Sequence, residues 1–110
     1  NLPCPACQAS MIRYTDQEIL FLNPAVNHHG GFSIWSRKNL TLRLSRDEGK
    51  SWVKSRILNK GLSGYSDMAI NAEGHILCIF ENGERDYCEK ITIACVEKSW
   101  LFAEQNAGGK

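Results

Sequence analysis

The chain has 110 residues, 43% of them hydrophobic and 23% charged, which is the composition of one folded domain and not of a disordered segment. Its net charge of +1, with both signs interspersed, excludes a nucleic-acid patch or an anionic-membrane anchor as the main function. No apolar run approaches the roughly 20 residues of a membrane-spanning helix. No signal-peptide pattern opens the chain, which starts at Asn1, and a processed amino terminus is the expectation.

Period-two alternation dominates and predicts strands separated by turn residues. The first covers Gln8 to Tyr14 and turns at Thr15-Asp16-Gln17; the second runs from Glu18 to Leu22 and stops at Asn23-Pro24, where proline removes a donor. Ala25 to Ser36 reads as a long loop around Gly30-Gly31. Strand three, Asn39 to Ser45, sets Leu40, Leu42 and Leu44 on one face and Thr41 and Arg43 on the other. The turn Asp47-Glu48-Gly49-Lys50 leads to strand four, Trp52 to Leu58, and Gly61 to Gly64 breaks the pattern. Three more strands follow, Ser66 to Ile70, Ile76 to Phe80 and Lys90 to Val96, with turns at Ala72-Glu73-Gly74 and Asn82-Gly83. Glu97 to Gln105 predicts one or two helical turns, and Asn106 to Lys110 a flexible tail.

Four meandering strands and then three fit the arithmetic of β-propeller blades, each a four-stranded antiparallel sheet, with the last blade one strand short. Of the five cysteines, Cys78 and Cys95 lie in apolar alternating runs that predict buried thiols; an odd count leaves at least one thiol unpaired within the chain.

Ser45-Arg46-Asp47-Glu48-Gly49-Lys50-Ser51-Trp52 fits the pattern Ser-x-Asp-x-Gly-x-x-Trp. Ser45 and Asp47 can bond the backbone of their own turn, Gly49 supplies a positive φ, and Trp52 packs under the hairpin. This pattern resembles the Asp box of sialidases and related propellers, where it is structural. Further stretches resemble sialidase segments in the same order: Cys7-Gln8-Ala9-Ser10, Leu20-Phe21-Leu22-Asn23-Pro24-Ala25, Arg37 to Ser45, Gly64-Tyr65-Ser66-Asp67-Met68, Ile79-Phe80-Glu81-Asn82-Gly83 and Tyr87-Cys88-Glu89-Lys90-Ile91. Cys88 departs from the family's Tyr-Glu-Lys-Ile. The resemblance covers about Cys7 to Leu101 and implies an all-β fold, about two blades of a six-bladed sialidase propeller. Its expected parts are a blade at 7–60, an incomplete last blade at 61–97 and a tail at 98–110.

The resemblance makes Tyr65 the covalent nucleophile of a retaining exo-sialidase. Sialic acid carries a carboxylate on its anomeric carbon, so an attacking carboxylate would meet like charge, which a neutral phenol avoids. Arg37 corresponds to a triad arginine whose planar fork suits the substrate carboxylate; Arg43 and Arg46 are its neighbours, and Arg37 alone stands eight residues before Ser45. Glu81 corresponds to a glutamate that braces another arginine of the triad, against the plainer reading of a surface hairpin glutamate. Gln8 corresponds to a position near the substrate's glycerol arm.

The other two arginines, the acid/base aspartate and the glutamate that activates the tyrosine belong upstream in the family, so the chain alone is expected to be inactive. The mechanism implies no metal and no organic cofactor, and the implied ligands are sialylated glycans or sialic acid. The family context favours secretion or the periplasm. Open sheet edges are expected to drive self-association or pairing with a missing upstream segment. A non-catalytic Asp-box propeller or sialoglycan-binding module is the alternative. Cys4-Pro5-Ala6-Cys7 has zinc spacing without a second ligand pair, and His28-His29 reads as a solvated loop pair. The sequon Asn39-Leu40-Thr41 falls within a predicted strand.

Overall fold

A computed structural model of the chain describes Leu2, residues 8–26 and residues 37–103. Six strands follow one another: β1 Ser10–Thr15, β2 Glu18–Pro24, β3 Lys38–Ser45, β4 Lys54–Ile70, β5 Ile76–Gly83 and β6 Lys90–Val96. A short helix, α1 Lys98–Phe102, closes the described chain. Each strand pairs antiparallel with its neighbours in sequence, so one meandering sheet of order β1-β2-β3-β4-β5-β6 curls into a half-barrel. The all-β expectation is borne out. Cys4, Cys7, His28, His29 and the tail beyond Ala103 lie outside the described residues.

The alternation in β3 has its expected effect: Leu40, Leu42 and Leu44 are fully buried. β2 runs two residues past its expected end, and Pro24 sits opposite Leu40 as the last pair of the ladder, where a missing donor does no harm. The expected break at Gly61–Gly64 is absent. Strands four and five of the sequence reading are the two ends of the single strand β4. Neither glycine adopts a positive φ, so neither turns the chain. Instead β4 changes partner: Lys54 to Leu62 pair with β3, and Leu62 to Ile70 pair with β5.

That change is built from irregularities. β4 carries one residue more than its partner between Ile57 and Asn59, between Asn59 and Leu62, and between Ser63 and Ser66. Such bulges bend and twist a strand, which lets the single sheet fold over on itself along β4. The two inner faces then meet. Leu20, Leu22, Leu40, Leu42 and Leu44 from β2 and β3 pack with Met68, Ile76, Cys78 and Phe80 from β4 and β5. Each of the leucine, isoleucine, methionine and phenylalanine side chains among these contributes about 1.5–3 kcal/mol when removed from water.

Helix α1 seals one end of this core with Leu101, which is 1% exposed. Its Lys98 Nζ donates to both carboxylate oxygens of the buried Glu18 at 2.9 and 3.0 Å, and Arg46 Nε donates to the same carboxylate at 3.0 Å. Burial pushes the Glu18 pKa up, but the bonds from Lys98 and Arg46 outweigh it and hold the carboxyl below its usual range. The Arg56 guanidinium adds a bond to the Trp100 carbonyl at 2.7 Å and lies 4.4 Å over the Trp100 ring.

The outer face of β5 and β6 is open. Ile79, Ile91 and Ile93 are exposed there, and Cys95 joins them. The expectation of a buried Cys95 is thereby corrected: on β6 it alternates onto the uncovered side, whereas Cys78 points into the core. Burial pushes the Cys78 thiol up to about 12, which keeps it protonated and unreactive.

Candidate active site

Tyr65 occupies the third of the β4 bulges. Pairing steps from Ser63 opposite Asn82 to Ser66 opposite Phe80, so Gly64 and Tyr65 together face Glu81. A bulge leaves a backbone amide without a ladder acceptor. Here the Glu81 side chain replaces the ladder, its Oε1 accepting the Tyr65 N–H at 2.9 Å.

The next residue is held from the opposite side by Gln8. Its Nε2 donates to the Ser66 carbonyl at 3.1 Å, and its Oε1 accepts the Ser66 N–H at 3.0 Å. One side-chain amide thus copies the paired bonds of a neighbouring strand. Ser10 and Ser66 add a hydroxyl–hydroxyl bond at 3.1 Å. With its backbone fixed on both flanks, Tyr65 projects its ring outward, 54% exposed. It borders a cleft of about 430 Å³ whose walls include Gln8, Asp67, Ile79 and Glu81.

Arg37 comes to the same place from the start of β3. Its carbonyl accepts the Ser63 N–H at 2.7 Å, which ties it to β4 two residues before Tyr65. Its guanidinium carbon lies 5.9 Å from the centre of the Tyr65 ring and 4.4 Å over the Tyr87 ring. The structure therefore brings Tyr65, Arg37, Gln8 and Glu81 together at the bulge in the interior of β4. Glu81 and Gln8 meet the backbone around Tyr65 directly, a contact that sequence reading did not foresee.

Two residues of the stretch Tyr87-Cys88-Glu89, to which the sequence assigned no role, also belong here. Tyr87 sits in the segment between β5 and β6, and Glu89 shapes this segment by accepting the backbone N–H groups of Glu84 at 2.7 Å and Arg85 at 3.1 Å. The bond from Arg85 and then that from Glu84 hold the Glu89 carboxyl below its usual range. The glycine in Gly64-Tyr65-Ser66-Asp67 was a usable signal. A Cβ at Gly64 would lie 2.5 Å from Glu81 Oε1 and 2.6 Å from Tyr87 Cδ2.

The Asp-box residues stand apart, in the turn from β3 to β4. Ser45 Oγ donates to Asp47 Oδ1 at 2.8 Å and accepts the N–H of Gly49 at 2.8 Å. Asp47 accepts the Ser51 N–H at 2.8 Å and the Ser51 hydroxyl at 2.6 Å. Those Ser51 bonds, followed by the Ser45 hydroxyl, lower the Asp47 pKa to about 2. Gly49 has φ 87° and Glu48 joins it in the left-handed region at 59°. Trp52 packs on Phe21 with ring centres 5.7 Å apart. Among the described residues, no group of three or more His, Cys, Asp or Glu side chains could hold a metal ion.

Comparison with known proteins places this geometry in context. Sialidase-3 of Rattus norvegicus is 43% identical over 72 residues, which is 63% of this chain, and Sialidase-3 of Mus musculus is 41% identical over 58 residues, which is 50% of it. The chain is sialidase-related. The solved Hadza microbial sialidase Hz136 superposes with a TM-score of 0.68 over 89% of the chain at 23% identity, so the sialidase-related strands share the architecture of a sialidase β-propeller. No protein-family model matches. The sialidase-related chain spans 16% and 14% of the length of the two relatives and 19% of the solved sialidase.

Proposed function

We propose that this chain supplies the nucleophile and one carboxylate-binding arginine of a retaining exo-sialidase, a glycoside hydrolase that removes terminal sialic acids from glycoconjugates. The observation that carries the reading is the approach of the Arg37 guanidinium to within 5.9 Å of the Tyr65 ring centre, from the residue just ahead of β3. In the assembled enzyme Arg37 holds the substrate carboxylate by its planar fork, and the Tyr65 oxygen attacks the anomeric carbon while a glutamate outside this chain takes its proton. An acid outside this chain protonates the leaving oxygen. Water then displaces the tyrosine, and two displacements on one carbon return the original configuration. Glu81 holds the Tyr65 amide and Gln8 the backbone of Ser66 while the phenol acts. The Asp box, Ser45, Asp47, Gly49 and Trp52, serves the fold alone.

The blade assignment belongs to the same reading. Residues 7–60 form one blade, 61–97 an incomplete last blade and 98–110 a tail; the change of partner along β4 at Leu62 supports the division. The exposed Ile79, Ile91 and Ile93 and the outer edge of β6 are then surfaces for further propeller or a second copy. Light scattering that shows a clean monomer counts against this surface assignment.

The test of function uses the chain as it stands. It is expected to leave a fluorogenic sialoside intact, because a catalytic unit loses orders of magnitude when one member is removed. N-acetylneuraminic acid is expected to shift the NMR signals of Arg37 and Tyr65, and Arg37→Ala to abolish that response. Hydrolysis that falls on Tyr65→Phe would overturn the inactivity, and silence at both residues would overturn the assignment. A sialoglycan-binding module without turnover, the alternative, would show calorimetric affinity that survives Tyr65→Phe.

A further inference from the structure

We propose that Tyr87 is a positioning residue for Arg37, its ring serving as the shelf that aims the guanidinium toward Tyr65. This rests on the sialidase reading of Arg37 and Tyr65. The ring takes the guanidinium at 4.4 Å, well inside the range of a cation–π contact and closer than the 5.9 Å to Tyr65. Stacking engages the face of a guanidinium, whereas a carboxylate takes the N–H groups at its edge, so the two interactions do not compete. An arginine side chain has many rotamers. A ring under its face removes most of them before the ligand arrives, which is how preorganisation raises affinity.

The shelf is itself fixed on two sides. Its edge lies against the backbone of β4, so close that a Cβ at Gly64 would fall 2.6 Å from Cδ2 and 3.3 Å from Cε2. The segment that carries Tyr87 is braced by Glu89 through the backbone of Glu84 and Arg85. Gly83 tightens it further, since a Cβ there would collide with the Asp86 carbonyl and with Glu89. Gly64, Tyr87 and Arg37 thus form one contiguous stack beside Tyr65.

The test compares Tyr87→Phe, Tyr87→Leu and Arg37→Ala in the whole chain, with thermal melting to show that each is folded. Two quantities are read by NMR: the ring-current shift of the Arg37 Nε–H and neighbouring methylene signals, and the affinity for N-acetylneuraminic acid. Tyr87→Phe is expected to keep both. Tyr87→Leu is expected to lose the ring-current shift and to weaken binding about fivefold, the scale of one partly exposed cation–π contact. If Tyr87→Leu binds as the unaltered chain does while Arg37→Ala abolishes binding, the positioning role is wrong and the sialidase reading stands. Equal loss in Tyr87→Phe and Tyr87→Leu assigns the effect to the hydroxyl and also overturns the proposal. If Arg37→Ala binds normally, or the unaltered chain shows no response at Arg37, the reading of Arg37 fails and the positioning role with it.

Discussion

Replacing Gly64 with alanine tests the bulge around Tyr65, and Gly61 provides its control on the same strand. A methyl group at position 64 would sit 2.6 Å from the Tyr87 ring and 2.5 Å from the Glu81 carboxylate, where carbon atoms prefer about 3.5–4.0 Å. The ring must retreat by about 1 Å as a rigid unit, and overpacking of this kind costs about 1–3 kcal/mol. The carboxylate swings away more easily but then releases the Tyr65 amide, a loss of about 1 kcal/mol at a half-exposed site. Against this stands about 0.4–1 kcal/mol from the stiffer unfolded chain. At Gly61 a methyl group meets only the Gly83 carbonyl at 3.7 Å, an ordinary contact, so the last gain alone applies. The unfolded-state gain is common to both variants, so Gly64→Ala is expected to lie about 2–4 kcal/mol below Gly61→Ala in urea unfolding followed by tryptophan fluorescence, with an unchanged denaturant slope. The Tyr65 amide resonance should move in the first variant and stay in the second. Equal midpoints for the two variants, or an unmoved Tyr65 amide in Gly64→Ala, would refute the reasoning.

Leu101→Ala removes the plug of the core and is expected to cost about 2–4 kcal/mol, read from the urea midpoint; a loss under 1 kcal/mol would mean that α1 is not docked there. The Asp47 pKa of about 2 lies below the ordinary value of 3.8, so its contribution to the turn is complete above pH 4 and fades as the pH falls through 2. A carboxyl-carbon NMR titration with a midpoint near 3.8 would remove the Ser45 and Ser51 bonds from the account of that turn.

Part of this architecture was legible in the residues, and the rest was hidden for physical reasons. The leucines of β3 announce their face because a half-buried strand needs one apolar side chain in two. The Asp box shows itself because a tight turn demands particular atoms at particular offsets. Arg37 and Tyr65 were found through resemblance, and nothing in their spacing says that they meet. Gly61 and Gly64 misled, since glycine marks both turns and close approaches, and only the neighbours reveal which applies. Gly64 makes room for Glu81, from the facing strand β5, and for Tyr87, from the segment between β5 and β6. The cluster of Glu18, Arg46 and Lys98 likewise joins residues that are distant in the chain, and no local pattern predicts it.

Because β4 pairs with β3 along one half and with β5 along the other, chain length within it becomes a matter of parity. Tyr65 faces outward and Ser66 inward only while the count of residues from the β3 pairing is kept. One residue added between Asn59 and Leu62, with no compensating bulge, would carry the phenol to the core side. Two would restore its side but displace it about 7 Å along the strand, out of reach of Arg37. Related chains that keep this site should vary in length at the turn Asn71 to Gly74 and leave β4 untouched.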